Sequence, residues 1–391
     1  MAYGAGRIGK GPILFTPGPV EISAAARDGL ALPSTHHRSR AFEELWRTFG
    51  RDLQAAFQTD GPVAVLTASA TGAMEAVVAN LFDPGDRVLV AANGKFSRRW
   101  AEIAGAYGLE VTRLDLAPGE SPAAEAVGAE VGRDGRISAV LLTQCETSTG
   151  SLTDLGAVAR AVRDVEARQG RTILAVSDSA TSLLADELRT RDWSLDAVVG
   201  ASQKGLLAPP GLGFVALSPR ALARCRQTRG PRYYFDLAKY LDSGRAPFTP
   251  AVPLVAAAAR SLTAILELGL ERVWRASRAA AAGLGLIVEA AGFKQLPAHP
   301  SAAVVVFRVG DVRARDLARV LARDHGVIVA EGQEELAGKV LRVSGIGKSR
   351  RDIVFFAGAF EASLATLGRS CAPAGITAEL EAVLEEARLW E

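Results

Sequence analysis

The stretch "DAVVGASQKGLLAPPGLGFVALS", Asp196–Ser218, sets two short apolar runs, 197–202 and 213–218, on either side of a loop with one charged residue, Lys204. Runs this short, apolar on both faces, are strands of a sheet that is covered on both sides. Lysine is costly to bury and is normally kept in water, so a lysine at the mouth of a core strand is either snorkelling or reactive. The rest of the chain decides between the two.

Working outward, the same texture recurs. Short β-branched runs lie at 63–67, 87–92, 110–116, 139–144 and 172–178, which with the first two make seven strands. Helix-patterned segments separate them, such as "GAMEAVVANLF" at 72–82 and "DLGAVARAVRDVEARQG" at 154–170, the latter closed by Gly170 as a helix stop should be. Strands alternating with helices predict an α/β fold with a mostly parallel seven-stranded sheet between helices. In such a sheet ligands bind at the carboxyl ends of the strands.

After Pro247 the texture changes. An alanine-rich segment reads as one long helix or two, and the pattern beyond it (strand, helix, two strands, helix, then a tail helix from Ala374) predicts a small α+β unit. The expected division is an amino-terminal arm at 1–20, a large domain at 21–250, a bridging helix at 251–280 and a small carboxyl-terminal domain at 281–391. A chain of 391 residues exceeds what a single core usually serves, which agrees with two domains.

The net charge of +2 gives no field that would draw nucleic acid or an anionic membrane. Cys145, Cys225 and Cys371 lie far apart without CxxC spacing, so neither a metal centre nor a disulfide framework is expected. No secretory signal or membrane span is legible, and the chain reads as soluble and cytoplasmic.

Three clusters at predicted strand ends could do chemistry. "TASATGAMEA" after the strand 63–67 opens a helix, and the N–H groups of a helix start can seat a phosphate, although such starts are common. Asp178 ends a strongly apolar strand and needs a partner: a cationic pyridinium, a helix N-cap or an arginine. Lys204 follows 26 residues later, one βαβ step on, at the same edge of the sheet. A phosphate seat, a carboxylate and a lysine are the three anchors that pyridoxal phosphate needs for its phosphate, ring nitrogen and aldehyde.

"FTPGPV", "SATGAMEA", "ETSTG", "VSDSAT" and above all "SQKGLLAPPGLG" occur in order between Ile13 and Leu367. In these motifs the chain resembles the class V aminotransferases of the fold type I pyridoxal-phosphate enzymes, in particular the alanine–glyoxylate and serine–pyruvate branch. The resemblance implies that Lys204 bonds to the cofactor aldehyde and later carries the proton, while Asp178 keeps the ring nitrogen protonated. It places Ala180 on one ring face, Phe96 on the other, and Thr147 at the ring hydroxyl. Ser69, Ala70, Thr71, Gln203 and, from a partner subunit, Thr249 would hold the phosphate. Arg342 would clamp the substrate carboxylate, a task that suits bidentate guanidinium geometry. Gly18 of "FTPGPV" would lie at the substrate. Glycine is frequent in the family where this chain has Ala70, a phosphate-binding tyrosine of some members is replaced by Ala246, and Phe96 stands for a tryptophan.

The loop "THHRSRAF", 35–42, either lines the substrate entrance across a dimer interface, with His37 and Arg38 the better candidates, or only solvates the surface. The implied activity is ping-pong transfer of an amino group from a small amino acid, of alanine or serine type, to a 2-keto acid such as glyoxylate or pyruvate, by a homodimer with its sites at the interface. Two rivals remain. A lyase or desulfurase of the same fold would need a loop thiol, for which Cys371 is the candidate, and a catalytically silent relative would serve as a binding subunit.

Overall fold

The computed structural model describes residues 11–33, 35–242, 244–369 and 376–385. Its larger sheet contains β1 (Val63–Leu66), β2 (Arg87–Ala92), β3 (Glu110–Asp115), β4 (Ile137–Thr143), β5 (Leu174–Asp178), β6 (Ala197–Ala201) and β7 (Gly213–Leu217). The strand order is β1-β7-β6-β5-β4-β2-β3. The pairs β6/β5, β5/β4, β4/β2 and β2/β3 are parallel, and β7 runs antiparallel to both neighbours. The link from β6 to β7, residues 202–212, is too short for a parallel crossover, which needs a dozen residues or more, so the chain must return antiparallel.

Every residue of β5, β6 and β7 is buried, which accounts for their uninterrupted apolar runs. Along β4 the side chains alternate between two cores. Val140 and Leu142 pack with Phe49, Phe57 and Val158 on one face, while Ala139 and Leu141 pack with Met74, Val77 and Trp100 on the other. Helices Arg40–Phe57 and Leu155–Gln169 cover the first face, and Ala70–Leu81 and Lys95–Ala106 the second.

One connection differs from its expectation. Residues 179–195 between β5 and β6 run in turns, not in a helix. Leu184 and Ser194 have φ of 68° and 55°, incompatible with a continuous helix, and residues 179–186 are buried throughout, so the segment has no solvent face for a surface helix to present. Local hydrogen bonds replace the helix ladder: Ser182 Oγ donates to Gln144 Oε1 at 2.7 Å, and the Asp186 carboxylate accepts from Ser301 Oγ at 2.5 Å and Ala302 N at 2.8 Å.

The alanine-rich segment forms two helices, Val252–Leu268 and Leu270–Ala290, bent by 92°. The break is Gly269, whose φ of 87° only glycine adopts readily. Beyond lies a four-stranded antiparallel sheet of β8 (Lys294–Gln295), β9 (Val305–Arg308), β10 (Ala330–Glu331) and β11 (Val340–Val343), ordered β8-β9-β11-β10. Helices Ala314–His325 and Arg350–Thr366 pack on it, with Phe307, Phe356 and Phe360 at the centre. The tail helix is Ile376–Leu384. Among the described residues no single helix is long and apolar enough to cross a membrane.

The amino-terminal segment ties the two sheets together. Ile13–Leu14 pairs with Val327–Ile328, and Phe15 accepts a hydrogen bond from Ser344 N at 2.8 Å. Farther on, Val20 N donates to Gln203 O at 3.2 Å and Ser23 N to Leu207 O at 2.9 Å, on the loop that carries Lys204. Lys348, 1% exposed, donates to Glu21 Oε2 at 2.5 Å and lies 5.3 Å from the centre of the Phe15 ring, pinning the segment to the smaller sheet.

Candidate active site

Lys204 lies three residues beyond β6, on a loop closed by Ser202, whose Oγ donates to Pro209 O at 2.6 Å and whose N–H donates to Leu212 O at 3.0 Å. Gly205 lets this loop lie flat on the 179–195 segment, since a Cβ there would come within 2.2 Å of Leu183 O. The partly buried Lys204 amine donates to Pro17 O at 2.6 Å. Burial pulls its pKa from 10.5 down to about 8, against the opposing influence of Cys145 and Asp178, with Arg342 adding to the depression.

Asp178 is the last residue of β5 and 7% exposed. In the sheet register it lies beside Thr143 of β4 and Val199 of β6, at the strand ends from which the Lys204 loop departs. Its Oδ1 accepts from Ala180 N at 2.9 Å. Burial raises its pKa to about 6; the Ala180 bond opposes this, Glu146 adds to it, and Arg99 and Lys204 oppose it.

Arg342, in the middle of β11, is 6% exposed. Its Nε donates to Glu331 O at 3.0 Å and its Nη1 to Thr147 O at 3.4 Å, which fixes the guanidinium between the smaller sheet and the loop after β4. Burial lowers its pKa and Glu146 opposes that. Thr147 also shares a 2.8 Å hydroxyl–hydroxyl hydrogen bond with Thr181.

Ser69 caps the helix Ala70–Leu81 and its Oγ accepts from Gly72 N at 3.3 Å. The N–H groups of Ala70 and Thr71 lie in the first turn, where a helix offers them no internal acceptor. Thr71 Oγ1 accepts from Arg99 Nη1 at 3.1 Å. Gln203, next to Lys204, has a buried side-chain oxygen with no hydrogen-bond partner. Phe96 sits in the first turn of the helix Lys95–Ala106, with the Arg99 guanidinium 5.0 Å from its ring centre.

Electrostatic coupling and hydrogen bonds thus link Lys204, Asp178, Arg342, Thr147, Ala180 and, through Pro17, Gly18. His37, Arg38 and Thr249 are placed differently. His37 lies against His36 with ring centres 4.6 Å apart and the rings tilted by 32°, and Arg38 and Thr249 are exposed. Thr249 lies on a segment whose Ala251 N–H donates to Thr67 Oγ1 at 3.1 Å, at the outer rim of the Ser69 turn. Cys371 lies outside the described residues. A cavity of about 1030 Å³ opens elsewhere, beside Asp186, Arg278 and Ser301, and none of Lys204, Asp178 and Arg342 lines it.

The sequence reading missed three groups here. Glu146 is fully buried and accepts from Ser97 N at 2.7 Å and Ser148 Oγ at 2.6 Å, bracing the helix that presents Phe96. Its signal was position alone, inside "ETSTG". Arg99 follows Phe96 by three residues, a spacing that puts both on one helix face. The Pro17 carbonyl had no signal, because a backbone acceptor is invisible in sequence.

Residues 25–349 match the family profile described as aminotransferase class-V. Among solved structures, an aspartate aminotransferase of subgroup IV from Thermus thermophilus superposes with a TM-score of 0.84 at 40% identity, covering 90% of this chain and 99% of that one. Among sequence relatives, L-aspartate–glyoxylate aminotransferase of Paracoccus denitrificans is 32% identical over 347 residues, 85% of this chain and 86% of that protein. The soluble hydrogenase 42 kDa subunit of Anabaena cylindrica is 34% identical over 369 residues, 91% and 94% of the two chains.

Proposed function

Because this chain belongs to the class V aminotransferases, and is with them a pyridoxal-phosphate-dependent transaminase, we propose that it moves an amino group from a small amino acid of alanine or serine type to a 2-keto acid such as glyoxylate or pyruvate. The observation that carries this reading is the convergence of Asp178 and Arg342 on Lys204, which feels the charge of both while its amine is fixed on Pro17 O at 2.6 Å. The donor set fits the cofactor. First-turn N–H groups and the Ser69 and Thr71 hydroxyls suit a phosphate, and the buried side-chain amide of Gln203, with its unpartnered oxygen, is free to turn its NH₂ toward it.

Bound pyridoxal phosphate supplies the aldehyde that takes up the amine and a ring that accepts the electrons left at Cα. Asp178 holds a proton at the ring nitrogen, an arrangement that relieves the cost of its own buried charge. Lys204 would take the α-proton at Nζ and give it up again to the carbon that had carried the aldehyde oxygen, on the other side of the substrate nitrogen. Its depressed pKa keeps a sizeable neutral fraction near neutral pH, as a general base requires. Arg342 binds the α-carboxylate, and Phe96 and Ala180 bracket the ring. Pro17 and Gly18, packed against Lys204, favour a small substrate side chain.

The site closes in a homodimer, with Thr249 of the partner reaching the phosphate and His37 and Arg38 lining the entrance. The division into an arm at 1–20, a large domain at 21–250, a bridge at 251–280 and a small domain at 281–391 places Arg342 on a unit that closes over the site.

Half-reaction spectra test the reading. Alanine or serine should convert the visible band of the holoenzyme to that of the amine form, and glyoxylate or pyruvate should restore it. Conversion by aspartate alone would overturn the donor assignment, and sulfide release from cysteine would favour a desulfurase. Burial raises the pKa of the Cys145 thiol, which makes it a poor nucleophile for that chemistry. The Anabaena relative is named as a hydrogenase subunit; the lysine, carboxylate and arginine of this chain support transferase catalysis over a binding-subunit role.

A further inference from the structure

The groups expected at the cofactor phosphate, namely the Ser69 and Thr71 hydroxyls, the first-turn N–H groups, Gln203 and the partner's threonine, are all neutral. A phosphate monoester carries about −1.5 to −2 charge at neutral pH. Neutral donors and a helix dipole, worth about half a charge, leave most of that uncompensated. A cation within reach of the seat would balance it.

We propose that Arg99 is that cation: its guanidinium, hydrogen-bonded to Thr71 Oγ1 at 3.1 Å and lying 5.0 Å from the centre of the Phe96 ring, is a binding residue for the cofactor phosphate. Arg99 starts from the same helix face as Phe96, one turn on, so the residue that presents the ring stack also fixes where the charge lies. The helix cannot slide, because Glu146 accepts from Ser97 N and Ser148 Oγ accepts from Lys95 N at 3.0 Å. Guanidinium suits the position better than ammonium, since its planar fork can lie along an aromatic face while its edge reaches two oxygens. Arg99 also lowers the pKa of Asp178, which puts it within electrostatic reach of the far end of the same site.

The inference rests on the assignment of the phosphate seat to the 69–71 turn. Apoprotein is titrated with pyridoxal phosphate and with pyridoxal, which lacks the phosphate, following the visible band. Arg99→Gln should weaken pyridoxal phosphate about 10- to 100-fold, as loss of a charge-assisted hydrogen bond does, and leave pyridoxal within about twofold. Arg99→Lys should retain most of the phosphate-dependent affinity, and ³¹P titration of the bound cofactor should show a raised second phosphate pKa in Arg99→Gln. Equal weakening of both ligands would place Arg99 at the ring, and no weakening of either would remove it from cofactor binding; both overturn the proposal. Failure of Ser69→Ala and Thr71→Val to distinguish the two ligands would instead overturn the phosphate seat. Retention of pyridoxal by each variant reports that the site has folded.

Discussion

The ammonium of Lys204 donates a 2.6 Å hydrogen bond to the carbonyl oxygen of Pro17, 187 positions earlier in the chain. The amine thus has a fixed acceptor when it is not otherwise engaged, and that acceptor belongs to a segment anchored at one end to the smaller sheet, through Phe15 and Ser344, and at the other to the Lys204 loop itself. The atom that holds the lysine is thus tied by backbone hydrogen bonds to both sheets.

A consequence concerns pH. The Lys204 pKa is depressed from 10.5 to about 8 by burial, so the neutral, nucleophilic amine gains population as pH rises through 8, and a surface lysine lags by about two units. The rate at which apoprotein takes up pyridoxal phosphate should rise about tenfold per unit up to pH 8 and then level off. Lys204→Ala should abolish this phase and reduce turnover by about 10⁴-fold or more. Stopped-flow absorbance across pH 6–10 checks both; a rate still climbing at pH 10 would contradict the depressed value.

Asp178 should trade stability for function. Its pKa is raised by burial from 3.8 to about 6, so the folded apoprotein binds this proton more tightly than the unfolded chain. The stabilisation is fully present below pH 3.8 and is lost as pH rises through 6, a shift equivalent to about 3 kcal/mol. Asp178→Asn removes the buried charge at neutral pH, and should raise the apoprotein Tm at pH 7.5 by a few degrees while lowering kcat by about 10²-fold or more. Calorimetry of both apoproteins at pH 5 and 7.5 measures it, with the gap expected to shrink at the lower pH.

At Gly18 the cost should fall on activity more than on folding. Its φ of 136° disfavours other residues, and an added Cβ would lie 2.4 Å from Lys204 Nζ. The clash is with the mobile end of a side chain, so Gly18→Ala should cost roughly 1–3 kcal/mol of backbone strain but push Lys204 off its acceptor. Expected are a small fall in Tm and a loss in kcat of about 10²-fold. An unchanged kcat would mean that the lysine does not use this position.

For Arg342 the telling variant is lysine. The guanidinium is held by Glu331 O and Thr147 O, so a single ammonium point charge cannot reproduce both the anchoring and a two-pronged carboxylate contact. Arg342→Lys should raise KM for the amino donor about 10- to 100-fold with a smaller effect on kcat, and should leave a carboxylate-free amine substrate unaffected. Steady-state kinetics with matched substrates decides the point.

Much of this was legible in the sequence because it is written in local pattern. The seven strands lie within a few residues of their expected positions: the central ones are buried and so continuously apolar, while the edge strand Glu110–Asp115, with its exposed Glu110, Arg113 and Asp115, is recognisable by its place in the strand–helix alternation. Lys204 and Asp178 stood out because a charged residue at the end of such a strand needs a partner or a route to water. The turns of 179–195 were not legible: "DELRTRD" has a helical composition, and only packing against the distant Ser301 and Gly205 makes the chain take turns there.

The sequence by itself determined the strand content, the lysine, its carboxylate and the chemistry they imply, because each depends on residue type and near-neighbour spacing. Tertiary structure alone decided what surrounds them. The carbonyl of Pro17, the fully buried Glu146 and the guanidinium of Arg99 reach Lys204, Ser97 and Thr71 from other segments, and contacts made by a folded backbone leave no periodic trace in the chain.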